Sequence, residues 1–294
     1  MPLTLHIGDA DFQVQPGVMY VVSTPIGNRE DITIRSLAVL NQVDIIAAED
    51  TRHTRNLLDF YKISTPLVSC HDFNEAKRAV HLIEQMKCGK SIALVSDAGT
   101  PLISDPGHRI VKSAVESGIP VFPVPGPSAT LAAICISGLP TDSFVFNGFP
   151  PRKNKSRKEW MDRLKEDSRT QILYESPKRI LALLQDLKKI MGERRAVLCR
   201  ELTKLHEEII RGSVSDILIK MTDRERIRGE ITLVLAGCND SDSNNIDDFE
   251  VGLQELTATH TESLPALAKR LSKQFKISRK EAYNRLLSQV RNDS

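Results

Sequence analysis

Five short apolar runs, each bounded by turn residues and followed by a longer polar stretch, dominate the first half of this 294-residue chain. They are MYVVS (19–23), VDIIAA (43–48), PLVSC (66–70), SIALVS (91–96) and PVFPV (120–124). Short, β-branched and uninterrupted by charge beyond a single Asp, such runs read as strands buried on both faces, which parallel sheets need and exposed antiparallel sheets do not. The intervening stretches carry helical periodicity. Residues 74–88 set Ala76, Val80, Ile83 and Met86 on one predicted face, with Gly89 after them as a C-terminal stop, and 108–117 is closed by Gly118. Strands alternating with helices predict a mostly parallel α/β sheet.

A second set follows. SFVFNGF (143–149), TQILYES (170–176), RRAVLCRE (194–201) and GEITLVLAG (229–237) read as strands, and 155–167, 177–192 and 214–221 as helices. The turn-rich Gly138-Leu139-Pro140 is a natural boundary, so the chain divides into an N-terminal extension (1–17), an α/β domain (18–140) and a second α/β domain (141–237), with a small-molecule cleft expected between the two. Residues 238–250 hold five acidic residues and no basic ones, the composition of a flexible linker. Residues 251–294 return to helical periodicity as two short helices, the second capped by Ser278. Their last 34 residues, 261–294, carry eight Lys/Arg against three Asp/Glu, as a helix-turn-helix-like unit with a basic face would. The same unit also reads as a packing element. At the other end, LTLHI alternates as an edge strand would, or stays loose.

Composition narrows the function classes. Forty basic against 38 acidic residues leave a net charge of +2, which excludes a uniformly basic nucleic-acid coat; any RNA affinity must come from local patches. Aromatic residues make up only 5%, too few for an extended base-stacking surface. The five cysteines (70, 88, 135, 199, 238) are widely spaced and form no CxxC, which argues against a disulfide framework or structural zinc and for a reducing, cytoplasmic setting. The start lacks the character of a signal peptide, and the charge-free run 117–141 is broken by five prolines, so no membrane span is expected. The signatures of dinucleotide folds, phosphate loops, zinc proteases and serine hydrolases are absent, as is any metal-ligand cluster.

Three strand-to-loop junctions stand out instead: Ser23–Asp31, Ser96–Gly107 and Val124–Thr130. Each follows a predicted strand and would open at the carboxyl edge of the sheet, where open α/β folds bind ligands. Pro25 and Gly27 force a turn in the first, with Asp31 expected to cap the next helix; Ala98, Gly99 and Ala129 let backbone approach a flat ligand. The segment Ala48–Arg55 opens on the same edge. There Asp50 or His53 is a candidate proton acceptor and Arg52 a candidate phosphate ligand, although Glu49-Asp50-Thr51 also reads as a plain helix cap. Five cations fall within Arg152–Lys158. Arg152, Lys153, Lys155 and Arg157, extended by Lys178 and Arg179, form a candidate RNA-binding edge.

The ordered motifs STPIGNREDIT, AEDTRHTRNLL, VSDAGTPLISDPG, VPGPSA, ILYESPKR and GEITLVLAG, spread over residues 18–237, resemble the ribosomal RNA small subunit methyltransferase I family, a branch of the tetrapyrrole methylase-like enzymes. Porphyrin-acting relatives usually carry a GxGxGD-like first loop; Ser23–Asn28 departs from it and matches the rRNA branch. The resemblance implies two α/β domains with a cofactor cleft between them. It further implies an S-adenosylmethionine-dependent homodimer that methylates the ribose 2′-oxygen of a cytidine in the 16S rRNA decoding region, on RNA or the small ribosomal subunit; in-line methyl transfer from a sulfonium needs no metal. Motif by motif, it assigns donor contacts to Pro25, to Ala98, Gly99, Thr100 and Ile103, to Ser128 and Ala129, and to Tyr174, Glu175 and Leu202. Two other readings stay open: a methylase of a small tetrapyrrole-like acceptor, and a ligand-sensing nucleic-acid-binding regulator.

Overall fold

The computed structural model describes residues 13–71, 73–238 and 264–274, with 279, 282, 283 and 286 beyond them. The N-terminal LTLHI segment, most of the acidic linker, and Ser278 with most of the second C-terminal helix lie outside the described residues.

All five strands expected in the first half are present: β1 (Met19–Val22), β2 (Ile45–Ala48), β3 (Leu67–Ser69), β4 (Ile92–Val95) and β5 (Val121–Val124). They form one sheet in the order β3-β2-β4-β1-β5, and every pairing is parallel. Alternate side chains go to opposite faces, which explains the lack of polar positions in these runs. Tyr20, Val22, Ile46 and Val95 meet Leu37 and Leu40 of α1 (Ile34–Gln42) and Leu58 of α2 (Thr51–Phe60) on one face. Met19, Ala47, Ile92 and Leu94 meet Leu82 and Met86 of α3 (Glu75–Lys87) and Ile110 of α4 (His108–Glu116) on the other.

Two local expectations are corrected. The buried face of α3 runs through Glu75, Ala79, Leu82, Ile83 and Met86, leaving Ala76 and Val80 exposed. The apolar positions admit two overlapping stripes, and the burial of the Glu75 carboxylate turns the helix toward the second. Asp31 ends a single 3-10 turn (Arg29–Asp31), while Thr33 caps α1 by accepting from the Ser36 amide. The left-handed glycines predicted to end α3 and α4 do so, with Gly89 at φ +89° and Gly118 at φ +71°.

The second sheet has the order β6-β7-β10-β8-β9. It is built from β6 (Phe144–Gly148), β7 (Thr170–Glu175), β8 (Arg195–Arg200), β9 (Glu208–Ser213) and β10 (Ile231–Leu235). Only β6–β7 is parallel; β7–β10, β10–β8 and β8–β9 are antiparallel. The edge strand β9 is an addition to the sequence reading: EIIRGS buries only Ile210 fully, so it lacks the apolar run that marks its neighbours. One face of this sheet is covered by α7 (Ile180–Met191), α8 (Val214–Thr222) and Met161 of α6 (Asn154–Leu164). The other carries Ala133 and Ile134 of α5 (Ala129–Ser137).

Described residues within Met1–Asp162 and Thr170–Ala236, holding both sheets, form one unit, and those of Arg163–Arg169 and Gly237–Ser294 form a second. In the second, α9 (Leu264–Gln274) buries Leu267, Ala268 and Leu271 and exposes Lys269 and Arg270. Among the described residues no helix is long and apolar enough to cross a membrane.

Candidate active site

Adjacent strands β1 and β4 send their connections to opposite faces of the first sheet, β1 into α1 and β4 into α4. A crevice opens between such strands at their carboxyl ends. Here the two loops are stitched along one wall of it. The Thr24 amide donates to the Gly99 carbonyl at 2.9 Å and the Gly99 amide returns to the Thr24 carbonyl at 3.0 Å. The Ser23 and Thr100 hydroxyls lie 3.0 Å apart, and Thr24 Oγ1 donates to the Ser96 carbonyl.

The resulting cleft has a volume of about 380 Å³, within the range of small-molecule sites. Ile26 comes from the first loop; Asp97–Thr100 and Ile103–Asp105 from the second; Ser128 and Ala129 from the start of α5. Glu49 follows β2. The second sheet adds Phe149, Tyr174–Pro177 and Gly229–Thr232.

Of the residues singled out for the methyl donor, Ala98, Gly99, Thr100, Ile103, Ser128, Ala129, Tyr174 and Glu175 all line this one cleft. Pro25 and Leu202 do not. The residue after Pro25, Ile26, takes the lining position, and Leu202 is buried in the apolar cluster that contains Ile26. The loop carrying Leu202 closes on the first loop, where Asn28 donates its amide to Thr203 Oγ1 at 3.0 Å. A Cβ on Gly27 would come within 2.4 Å of Lys204 Cγ, so only glycine permits that approach.

The second loop is strained and externally braced. Leu102 (φ +73°) and Ser104 (φ +70°) occupy left-handed backbone, a conformation costly for side-chain-bearing residues. Gly107 (φ +123°) begins α4, and a Cβ there would lie 2.9 Å from Leu94 Cδ2. No side chain of its own loop caps α4. The buried carboxylate of Glu75 does so from α3, with Oε1 accepting from the amides of Gly107 (3.2 Å), Arg109 (2.7 Å) and Ile110 (3.3 Å).

Asp105 is thus spared capping duty. Burial raises its carboxyl, the charges of Glu49 and Asp97 add to the rise, and the Ser96 hydroxyl only partly offsets them, leaving it at about 6. Tyr174 donates or accepts at the Thr130 hydroxyl (2.7 Å); burial chiefly pushes its phenol up. Glu175 is buried and bound to the Ser176 amide (2.7 Å) and the Arg179 guanidinium (2.6 Å).

The candidate catalytic cluster is arranged differently. Asp50 caps α2, accepting from the Arg52 amide at 2.8 Å and from the Arg52 guanidinium at 3.1 and 2.8 Å. Those bonds hold its carboxyl well below the usual carboxylate range. Arg52 and His53 are exposed on α2, and none of Asp50, Arg52 and His53 lines the cleft; their neighbour Glu49 does.

The candidate RNA edge also divides. Arg152, Lys153, Lys155 and Lys178 are exposed. Arg157 is buried and ion-paired to Asp186 on α7 at 2.5 Å, which makes it a strut between helices, and Arg179 is tied to Glu175. Sequence reasoning passed over Ile26, Glu49, Asp97, Ser104, Asp105, Phe149, Ser176, Pro177 and Gly229–Thr232 as lining residues. Most sit inside motifs it had quoted. Phe149 carried no signal beyond an aromatic residue ahead of two prolines.

Comparison with known proteins places this chain in a family. The sequence model of the Tetrapyrrole (Corrin/Porphyrin) Methylases matches residues 18–218. The ribosomal RNA small subunit methyltransferase I of Haemophilus influenzae is 47% identical over 78% of this chain and 82% of its own length. The protein of that name from Synechocystis is 43% identical over 91% of this chain and 96% of its own. Among solved structures, uroporphyrin-III C-methyltransferase from Thermus thermophilus, crystallised with S-adenosylhomocysteine, shares the fold at 15% identity. Its TM-score is 0.51 over 74% of this chain and 96% of that one. The chain belongs to the ribosomal RNA small subunit methyltransferase I family, within the tetrapyrrole methylases.

Proposed function

We propose that this protein transfers the methyl group of S-adenosylmethionine to the ribose 2′-oxygen of a cytidine in the decoding region of 16S rRNA, acting on RNA or the small subunit as a cytoplasmic homodimer. The observation that carries the reading is the cleft itself. It joins close-approach backbone at Ala98–Thr100 and Ala129 to a wall rich in carboxylates: Glu49, Asp97, Asp105 and Glu175. That combination fits a flat nucleoside joined to a positively charged sulfonium and amine.

In this reading Ile26, Ala98, Gly99, Thr100, Ile103, Ser128 and Ala129 hold the donor, with Tyr174 and Glu175 across from them and Pro25 and Leu202 supporting Ile26. When bound, the donor supplies a methyl carbon already activated on sulfur, so the protein's work is alignment and removal of one proton. Asp105 is the best-placed acceptor for the ribose hydroxyl proton. At neutral pH a carboxyl at about 6 is ionised roughly ten to one, yet is a stronger base than an ordinary carboxylate. Asp50 is already committed to α2 and to Arg52, so Asp50, Arg52 and His53 serve at the approach to the cleft, where Arg52, 90% exposed, meets phosphate. Arg152, Lys153, Lys155 and Lys178 grip the RNA backbone, while Arg157 and Arg179 hold the framework beneath them.

The test is transfer of labelled methyl from S-adenosylmethionine to small subunits from cells lacking this protein, followed by RNA digestion. A single labelled cytidine 2′-O-methyl is expected. Donor binding without labelling of RNA or subunits refutes the acceptor assignment, and no donor binding refutes the whole reading.

A further inference from the structure

Phe149 is an aromatic lining residue whose character neither the donor nor the proton acceptor explains. It lies just after β6, lines the cleft, and is 53% exposed. An exposed Phe on a well-packed protein is informative where it belongs to a concave site. Its ring stands 63° from that of Tyr174 with centroids 5.6 Å apart, and Tyr174 packs in the same tilted way on Phe146 at 4.8 Å. In an edge-to-face contact at least one ring face of Phe149 is left uncovered by Tyr174. The Tyr174 hydroxyl is anchored on Thr130, so the ring behind Phe149 is fixed.

The chain after Phe149 is also held. Pro150 and Pro151 restrict its backbone, and the Arg179 guanidinium donates to the Pro150 carbonyl at 3.4 Å. Arg152 and Lys153, just before α6, and Lys155 in its first turn then follow, all exposed. A braced aromatic face, open to the cleft and three to six residues from a cluster of cations, is the arrangement by which proteins hold a splayed-out nucleotide: ring against base, cations against backbone. The cleft beyond it is acidic, which repels phosphate and accepts hydrogen bonds from exocyclic amines such as that of cytosine.

Resting on the RNA-methylation reading, we propose that Phe149 is the stacking platform for the base of the acceptor nucleotide, holding it out of the RNA fold while its ribose enters the cleft. Phe149 is then a positioning residue for acceptor and is neutral toward donor.

The experiment measures methyl transfer to undermethylated small subunits, together with S-adenosylmethionine affinity by calorimetry, for wild type, Phe149→Ala, Phe149→Leu and Phe149→Trp. Loss of one base–aromatic stack is worth about ten-fold or more. Phe149→Ala and Phe149→Leu are expected to raise KM for subunits by that factor, with donor affinity within about two-fold of wild type. Phe149→Trp is expected to restore KM. The leucine variant keeps apolar bulk, so its melting temperature should match wild type even if the alanine variant unfolds. Unchanged KM in the leucine variant overturns the proposal. A parallel loss of donor affinity also overturns it, by assigning the ring to the donor. If wild type itself fails to label subunits, the RNA-methylation reading falls and takes this proposal with it; a working wild type with an indifferent leucine variant removes the platform alone.

Discussion

Two aspartates in loops of the first sheet's carboxyl edge meet opposite fates. Asp50 follows β2 at the start of α2, in a stretch crowded with Glu49, Arg52, His53 and Arg55. Its carboxylate is consumed locally, by the amide it caps and the guanidinium two residues on, and is held firmly ionised. Asp105 precedes α4 in a loop of small residues, prolines and glycines with no cation inside it. Glu75 caps that helix from another element, so Asp105 faces the cleft with two further carboxylates near it and rises to about 6. The lesson is that density of charge in a sequence marks a helix start as readily as chemistry. A carboxylate becomes reactive when something else does the structural work it would otherwise do.

The largest effect that would break this contrast is on catalysis. Asp105→Asn is expected to lower the methyl-transfer rate about 100-fold or more at pH 7.5, the usual scale for loss of a general base. Wild type should lose rate as pH falls through about 6, where Asp105 takes up its proton, and the variant should lose that limb. A wild-type profile flat down to pH 5 would sink the assignment. Next comes the remote cap. Glu75→Ala orphans three amides at the head of α4, and an unfolding free energy lower by about 3 kcal/mol is expected from denaturant titration. Glu75→Gln, which keeps an acceptor, should recover part of it. A loss below about 1 kcal/mol would mean that α4 does not depend on Glu75.

What could be read from the residues follows the same physics. The parallel sheet was legible because β1, β2 and β4 are buried on both faces, which leaves a run no polar residue interrupts. β9 was not, because an edge strand with Arg211 and Gly212 in it resembles a loop. In the site, the three loops and eight of the ten donor candidates gather on one cleft, since strand order and direction carry them there. The roles of individual ionisable groups were hidden. Arg157 looks like one more cation in a run of five, and only its distance to Asp186, 29 residues away, shows it to be a strut. Asp105 is likewise one letter in a turn, and its environment comes from its burial, from Glu49 on another segment and from Asp97 eight residues earlier in its own loop.

A subtler test lies in stability. Because Asp105 sits above its ordinary value of 3.8, the folded state prefers its neutral form, so stability present at low pH drains away as pH rises from about 4 to about 6 and stays lost above that. Removing the charge should return it: Asp105→Asn is expected to be more stable than wild type at pH 7.5 by about 2 kcal/mol, and no more stable at pH 4. A variant slower in catalysis yet harder to melt is the signature of a group held against its preference for the sake of the reaction. Asp105→Asn melting like wild type at both pH values would mean that the cleft is wet enough to hold three carboxylates at no cost.

The smallest effect belongs to Asp50, whose carboxyl is depressed rather than raised. Its contribution is present above about pH 4 and is lost as pH falls below that. Asp50→Ala removes the cap of an exposed helix start and should lower the melting temperature modestly at neutral pH. Asp50→Asn, still a good cap, should lower it less. Neither should approach the rate loss of Asp105→Asn, because Asp50 is outside the cleft lining, its carboxylate serves Arg52 and the head of α2, and its one bond to a lining residue, to Asp97, comes from a backbone amide that substitution leaves in place. The decisive comparison is the ratio of the two rate losses at one pH. If Asp50→Asn, with its cap intact, slows methyl transfer as much as Asp105→Asn does, the charged cluster at the head of α2 takes part in the chemistry after all, and the division of labour between capping and reacting carboxylates is wrong.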